Sequence, residues 1–166
     1  KIPSQVVDGD LELGAISYDP QDPRLASSVI YTDHLAFIVS PRHRFANRKV
    51  VAIRELDMET FIAHNVASPY RDLVLHAFER YKVQLNMDVE MPTVETVRKL
   101  VQADEGVAFL PRMCVEPEIQ RHALCEVQVK ELKMARPIRL VFPARRGLSH
   151  AARAFLDLVK RERAKA

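Results

Sequence analysis

Apolar and polar positions along this chain follow two different periods. Short runs of branched and aromatic residues, bounded by proline, glycine or aspartate, are typical of β-strands. Between them lie segments whose apolar residues recur at helical spacing. The predicted strands are residues 10–16, 28–31, 35–39, 50–53, 61–63, 85–90, 106–110, 127–129 and 138–142.

Serine and threonine mark the starts of three predicted helices. Ser68 is followed by Pro69, a good first helical residue because proline has no N–H to leave unpaired. Thr93 precedes a second amphipathic helix and Ser149 a last one, while a further segment runs over 111–121. The apolar faces are Val74, Ala77, Phe78 and Tyr81, then Val94, Val97, Leu100 and Val101, and finally Ala152, Phe155, Leu156 and Val159.

The order of these elements predicts the fold class. Strands that alternate with amphipathic helices are typical of an α/β protein with a largely parallel sheet. Residues 1–7 have the pattern of a helix tail, and Gly9 stands where a helix end favours positive φ. Because the chain opens inside an element, we expect it to be a fragment of a longer protein.

Composition narrows the class of protein but not its function. With 166 residues, 48% hydrophobic and 28% charged, the chain predicts a globular fold. No apolar run reaches the roughly 18 residues of a membrane span. Cys114 and Cys125 are too few for a disulfide framework, which favours a reducing cytoplasm. The net charge of +3 is compatible with a nucleic-acid partner without requiring one.

The sequence carries no enzyme motif. Phosphate-binding, nucleophile-elbow and zinc-protease patterns are missing, and four glycines cannot build the usual phosphate loop. The six histidines lack a spacing that shares a metal, so we expect neither metal nor cofactor. The two cysteines are either a redox pair or small buried hydrophobes, and the second interpretation is favoured. The carboxylate pairs Asp10/Glu12 and Glu116/Glu118 are expected to be solvated charges.

Basic residues gather at Arg145, Arg146 and in the tail over 160–165. No stacking aromatics, helix-turn-helix or zinc-finger spacing accompany them. A tail that alternates lysine, arginine and glutamate is typical of a solvated helix end. We therefore expect no direct DNA contact by this chain.

Three loops remain as candidate ligand sites. In α/β folds, ligands bind outside the carboxyl ends of strands, where helix N-termini offer unpaired N–H groups to anions. Such loops are Ser17 and Tyr18 after a strand, residues 65–70, and residues 92–94. The alternative for Ser68 and Thr93 is plain helix capping.

The motif order resembles the effector domain of LysR-type transcriptional regulators. The resemblance spans essentially the whole chain. Each motif alone is weakly specific, but the order and spacing of the motifs together are strongly specific. They are 9–16 (GDLELGAI), 34–39 (HLAFIV), 43–46 (HRFA), 95–101 (ETVRKLV), 106–111 (GVAFLP), 136–141 (RPIRLV) and 148–156 (LSHAARAFL).

This resemblance implies a periplasmic-binding-protein-like (type 2) fold of two α/β lobes with an effector cleft between them. Residues 1–33 and 139–166 would be part of an incomplete first lobe, and 34–138 the second. It also implies an N-terminal winged helix-turn-helix outside this chain. Carried over by position, the implied ligand-binding residues are Ser17, Ser68, Pro69, Tyr70, Thr93 and Phe109.

The chain departs from the family pattern at three positions. Asp104 stands where the family often has the first of two glycines, and aspartate tolerates the left-handed conformation needed there. Arg44 replaces a usual proline, and Glu12 a common aspartate. None of the three concerns the implied cleft.

The resemblance thus implies a cytoplasmic sensor domain, not an enzyme. It would bind a small, anionic metabolite and act on DNA through the absent head of a homodimer or homotetramer, with no membrane partner. We expect Ser68→Ala to weaken effector binding with nearly unchanged thermal stability. The alternatives are a solute-binding protein of a transporter, which shares the fold, and an α/β enzyme.

Overall fold

The computed structural model describes residues 2–66, 68–132 and 134–163 of the chain. The helices are α1 (Ile2–Asp8), α2 (Pro69–Tyr81), α3 (Val94–Ala103), α4 (Arg112–Gln120) and α5 (His150–Arg163), with a 3-10 turn at Ile53–Leu56. The strands are β1 (Gly14–Ile16), β2 (Leu25–Val39), β3 (Val50–Val51), β4 (Thr60–His64), β5 (Asn86–Met91), β6 (Ala108–Pro111), β7 (Cys125–Val129) and β8 (Ala135–Pro143).

The chain divides into two compact units. Unit 1 comprises the described residues of Lys1–Asp33 and Arg136–Ala166, and unit 2 comprises those of His34–Ala135. The chain passes from one unit to the other inside β2 and again at the start of β8.

Unit 1 is built on β1, β8 and the first part of β2. β1 pairs antiparallel with β8, which lies next to β2 in the sheet. Its buried core consists of Val6, Ile16, Leu25 and Val141. The predicted helix end at Gly9 is confirmed, with a φ of +96°. A Cβ there would lie 2.5 Å from Arg146 Nη1, so glycine also admits the guanidinium that donates to the Val6 carbonyl at 3.2 Å.

Unit 2 holds the larger core. The second part of β2 pairs with β6 on one side and β7 on the other, and β3 pairs with β7. β4 and β5 form a parallel pair, which Phe61 links to Val107 of the loop before β6. An aromatic cluster lies inside this unit, where the rings of Phe37, Phe61, Phe78 and Phe109 pack together.

The expectation of a largely parallel sheet is wrong for the strands beside β2. β2 is antiparallel to both β6 and β7, and β1 is antiparallel to β8. β6 and β7 are both antiparallel to β2 and therefore run parallel to each other. This direction agrees with the prediction from alternating strands and helices, since α4 connects the two strands. The reason for the difference is that β2 runs between those two strands in the opposite direction. Strand and helix order does not reveal such an inserted strand.

The two predicted strands at 28–31 and 35–39 form the single strand β2. The buried acidic residue between them faces a cation from β8. Asp33 is buried, and its Oδ2 lies 3.5 Å from Nη1 of Arg136. A buried carboxylate is tolerated where a cation faces it.

Two further expectations about burial are wrong. Phe155 is 50% exposed, whereas Ala152 and Leu156 are buried, because only a narrow stripe of α5 packs inward. Glu118 is 3% exposed instead of solvated. Its Oε1 accepts a hydrogen bond from Arg121 at 2.9 Å and forms an ion pair with Arg98 at 3.2 Å, and these cations offset the burial of the carboxylate.

Candidate functional site

Two helices of unit 2 begin beside each other, because each follows one of two paired strands. β4 and β5 are parallel, with His64 opposite Met91 at their carboxyl ends. The N-cap of α2, Ser68, follows the end of β4, and the N-cap of α3, Thr93, follows the end of β5. Two sequence-predicted site residues therefore belong to one edge of this sheet, where both helix N-termini carry partial positive charge.

Ser68 is an N-cap with a side-chain bond. Its backbone is extended, and its Oγ accepts the backbone N–H of Arg71 at 3.2 Å. The hydroxyl hydrogen remains a donor in addition to this accepted bond. Because removing such a cap costs about 1 kcal/mol, we expect Ser68→Ala to lower the free energy of unfolding by about that amount, rather than to leave stability nearly unchanged.

Thr93 caps α3 in the same way and brings in a residue that the sequence analysis missed. Its Oγ1 accepts the backbone N–H of Thr96 at 3.1 Å. The two threonine hydroxyl oxygens lie 2.8 Å apart in a hydrogen bond whose donor can be either one. The spacing of a threonine three residues after a threonine N-cap was the signal available for Thr96.

His64 and Arg71 tie the segment before α2 to the neighbouring strand. His64 Nε2 lies 3.1 Å from the Pro92 carbonyl oxygen, so that nitrogen carries the donated hydrogen. Arg71 Nη1 donates to the His64 carbonyl at 3.2 Å, and Nη2 pairs with the carboxylate of Glu90 in β5. The sequence gives no signal for these contacts because they depend on which strands are paired.

Pro69 and Tyr70 occupy the first two positions of α2. The side chain of Pro69 lies outside the described residues. Tyr70 is 9% exposed and therefore mostly buried. A residue at the second helical position lies beside the unpaired N–H groups of the helix start.

Phe109 belongs to the aromatic cluster of unit 2. Its ring is stacked on Phe61, with 5.7 Å between centroids and 3° between planes, and lies 5.1 Å from Phe37. It meets the edge of Phe78 at 6.4 Å. The side chain is partly buried, and its observed contacts are those of a packing residue.

Ser17 lies in unit 1, directly after β1. Its side chain is partly buried. The structure thus places Ser68, Tyr70 and Thr93 at neighbouring helix starts of unit 2, whereas Ser17 belongs to the other unit.

Charged side chains of both signs lie at these helix starts. Asp72 and Glu95 occupy the first turns of α2 and α3, and Glu95 pairs with Lys99 at 3.2 Å. Arg71 is paired with Glu90. This edge therefore offers a ligand hydroxyl and backbone N–H groups beside an arginine whose charge is paired.

Residues 2–66, 68–132 and 134–163 give little support for a metal site or a cysteine-based site. No group of three histidine, cysteine or acidic side chains in these ranges is placed to hold a metal ion. Cys114 and Cys125 are free thiols of intermediate burial, and burial raises the pKa of Cys125. None of the helices formed by the described residues has both the length and the apolar character to cross a membrane.

Comparison with known families gives one match over nearly the full length. The family model described as the LysR substrate binding domain matches residues 1–164. That family is one of transcriptional regulator domains rather than enzymes.

Curated relatives are transcriptional regulators. The chain is 28% identical to the HTH-type regulator YwbI of Bacillus subtilis over 96% of this chain and 53% of the relative. It is 23% identical to a RuBisCO operon transcriptional regulator of Allochromatium vinosum over 97% of this chain and 54% of the relative. The chain spans about half the length of these relatives.

Solved structures show the same fold. The CcmR regulatory domain of Synechocystis, in complex with 2-PG, matches with a TM-score of 0.84 and 22% identity over 95% of this chain and 76% of that one. The effector binding domain of QuiR, in complex with shikimate, matches with a TM-score of 0.81 and 20% identity over 99% and 77%. The α/β fold of the periplasmic-binding-protein type is thereby confirmed.

Proposed function

The chain belongs to the LysR substrate-binding domain family, and we propose that it binds a small anionic metabolite as the sensor of a transcription regulator. The observation that carries this proposal is the pair of helix starts at the ends of β4 and β5, each capped by a hydroxyl residue. Helix N-termini favour anions through their unpaired N–H groups and partial charge.

The proposed ligand contacts are those of the family pattern. Ser68 would donate its hydroxyl hydrogen, since its oxygen already accepts a backbone N–H. Thr93 and Thr96 share a hydrogen bond, and the threonine that accepts it would donate its own hydroxyl hydrogen to the ligand. Two relatives in fold are seen with acidic small molecules, 2-PG and shikimate, which supports the same ligand class here. The full set is Ser17, Ser68, Pro69, Tyr70, Thr93 and Phe109.

The regulatory step follows from ligand linkage. We propose that the two units are the two effector lobes, and that a ligand shifts their equilibrium by binding one arrangement more tightly. A tenfold difference in affinity biases such an equilibrium by about 1.4 kcal/mol. In the whole protein, this shift would act on a DNA-binding head in a cytoplasmic homodimer or homotetramer, without catalysis.

Aspartate at the two N-caps tests the proposal. Aspartate caps a helix as well as serine does, but it places a negative charge where the anion would bind. We expect Ser68→Asp and Thr93→Asp to keep the melting temperature and to weaken binding at least tenfold. The measurement is isothermal titration calorimetry of the purified chain with shikimate, 2-PG and inorganic phosphate.

Gln84→Glu is the matched control, because it adds the same charge to an exposed position of unit 2 that is outside the proposed site. It should bind as the unsubstituted chain does. Equal binding by the chain and by both aspartate variants would overturn the proposal, as would the absence of binding to all three probes.

The solute-binding alternative shares the fold, but the family match favours the regulator. Turnover of a metabolite panel by the purified chain would instead revive the enzyme alternative.

A further inference from the structure

Arg71 bonds to both ends of the segment that leads into α2, at His64 and at Ser68. It is the third helical residue, and its backbone N–H is the one that Ser68 caps at 3.2 Å. Its guanidinium donates to the His64 carbonyl at 3.2 Å. Helical side chains lean towards the N-terminus, which carries the guanidinium back to the carboxyl ends of the strands.

Glu90 holds this guanidinium from the neighbouring strand. It lies in β5, opposite Ala63 and one residue before the His64–Met91 pair. The Arg71 and Glu90 side chains are 26% and 43% exposed, so the pair is neither fully desolvated nor free in solvent. A cation and an anion therefore lie together beside the helix start proposed to hold an anion.

We propose that Arg71 is a specificity-determining residue that sets the preference of this site for anions, and that Glu90 limits that preference by pairing with it. This inference rests on the proposed function. The cation favours a negative ligand and the carboxylate opposes it, so the two residues have opposite effects on affinity. A merely structural pair would instead lose the same support for the segment whichever partner is removed.

Opposite shifts in affinity are the expected result. For a singly charged anion near the pair, removing one unit charge changes affinity by about threefold at low salt, and more for a dianion. Glu90→Gln should tighten binding by that factor and Arg71→Gln should weaken it. The double variant should return to within about twofold of the unsubstituted chain, because both charges are then absent.

The experiment titrates inorganic phosphate into the isotope-labelled chain and follows by NMR the backbone amides of Tyr70, Val94 and Glu95, which occupy the first positions of α2 and α3. Arg71→Lys keeps the charge but not the planar fork, so it should retain most of the affinity. Raising the salt concentration should shrink all the differences. Melting curves show whether each variant is folded.

Glu79→Gln is the control on the same helix. It removes one carboxylate eight residues further along α2, about 12 Å at the helical rise, and that separation exceeds the screening length of about 10 Å at 0.1 M salt. Its affinity for phosphate should equal that of the unsubstituted chain.

The outcomes separate this inference from the proposed function. If phosphate shifts these amides in the unsubstituted chain but both single variants lose affinity alike or keep it, the role of Arg71 is overturned. The proposed function would stand in that case. If phosphate perturbs none of the three amides in the unsubstituted chain, the helix starts hold no anion, and both proposals are overturned.

Discussion

Glu12 and Ser149 are 137 positions apart in the chain, yet they share two hydrogen bonds of 2.7 Å. Glu12 Oε1 accepts the backbone N–H of Ser149, and Oε2 accepts its hydroxyl. The Ser149 oxygen in turn accepts the backbone N–H of Ala152 at 3.2 Å, so the start of α5 is capped by a serine and by a distant carboxylate. The predicted cap at Ser149 is thereby confirmed.

This arrangement predicts a pH dependence. The backbone N–H and then the hydroxyl of Ser149 hold the pKa of Glu12 below its usual range. A lowered pKa means that the bonds stabilise the fold at neutral pH and that this contribution is lost as the pH falls through the folded-state pKa. We expect Glu12→Gln to lower the melting temperature at pH 7, and the difference to vanish at acidic pH.

Glu105→Gln controls for the loss of a carboxylate, since Glu105 is exposed in unit 2. It should leave the melting temperature at pH 7 nearly unchanged. A constant difference between Glu12→Gln and the unsubstituted chain from pH 7 to pH 3 would contradict the role of the ionised carboxylate.

Asp104 ends α3 in the left-handed conformation, with φ of 71° and ψ of 28°. Glycine adopts this conformation without the steric cost that other residues carry. We expect Asp104→Gly to raise the free energy of unfolding by about 0.5 kcal/mol in urea denaturation. Gln102→Gly, inside the same helix, should lower it by about 1 kcal/mol. A loss at both positions would show that the aspartate side chain stabilises the helix end.

Adjacent residues of α5 should differ in their importance for stability. Leu156 is 6% exposed and Phe155 is 50% exposed. Leu156→Ala should cost about 2–4 kcal/mol because it leaves a cavity in the core. Phe155→Ala should cost less than about 1 kcal/mol, since half its surface is already in water. Denaturant unfolding of the two variants measures both, and equal costs would mean that Phe155 packs more fully than its exposure indicates.

Glu118 is expected to be essential to the packing of α3 against α4. Glu118→Ala removes the buried ion-pair partner of Arg98 and Arg121 and should cost about 2–4 kcal/mol. Glu116→Ala, on the same helix but with a more exposed side chain, should cost less than about 1 kcal/mol. Thermal and urea unfolding test this pair, and similar small costs would show that water replaces Glu118 easily.

Local signals in the sequence predict the helices well. Ser68, Thr93 and Ser149 were expected as N-caps, and each one accepts a backbone N–H three residues later. Capping depends on residues close in sequence, so a cap can be predicted without knowing the fold. The same holds for Gly9 and Asp104, whose positive φ is a local requirement.

Long-range contacts were not predictable in this way. The direction of β2 relative to β6 and β7, the burial of Glu118, and the hydrogen bonds of Arg71 all depend on which elements are paired. Composition cannot reveal that two arginines will converge on one carboxylate. For the candidate site, the sequence pattern predicted the two caps, Ser68 and Thr93. It gave no prediction for His64, Arg71 and Thr96, whose hydrogen bonds hold the two helix starts in place.

The division of the chain bears on how it folds during synthesis. Unit 2 is one continuous stretch, so all its residues have emerged once Ala135 leaves the ribosome. Unit 1 combines early and late residues, and Val6 and Ile16 share their core with Val141. Because domains generally fold as units, the part of unit 1 that precedes β2 remains without its partner Val141 until β8 has been made. The inserted unit thus has time to fold before the unit that encloses it in sequence.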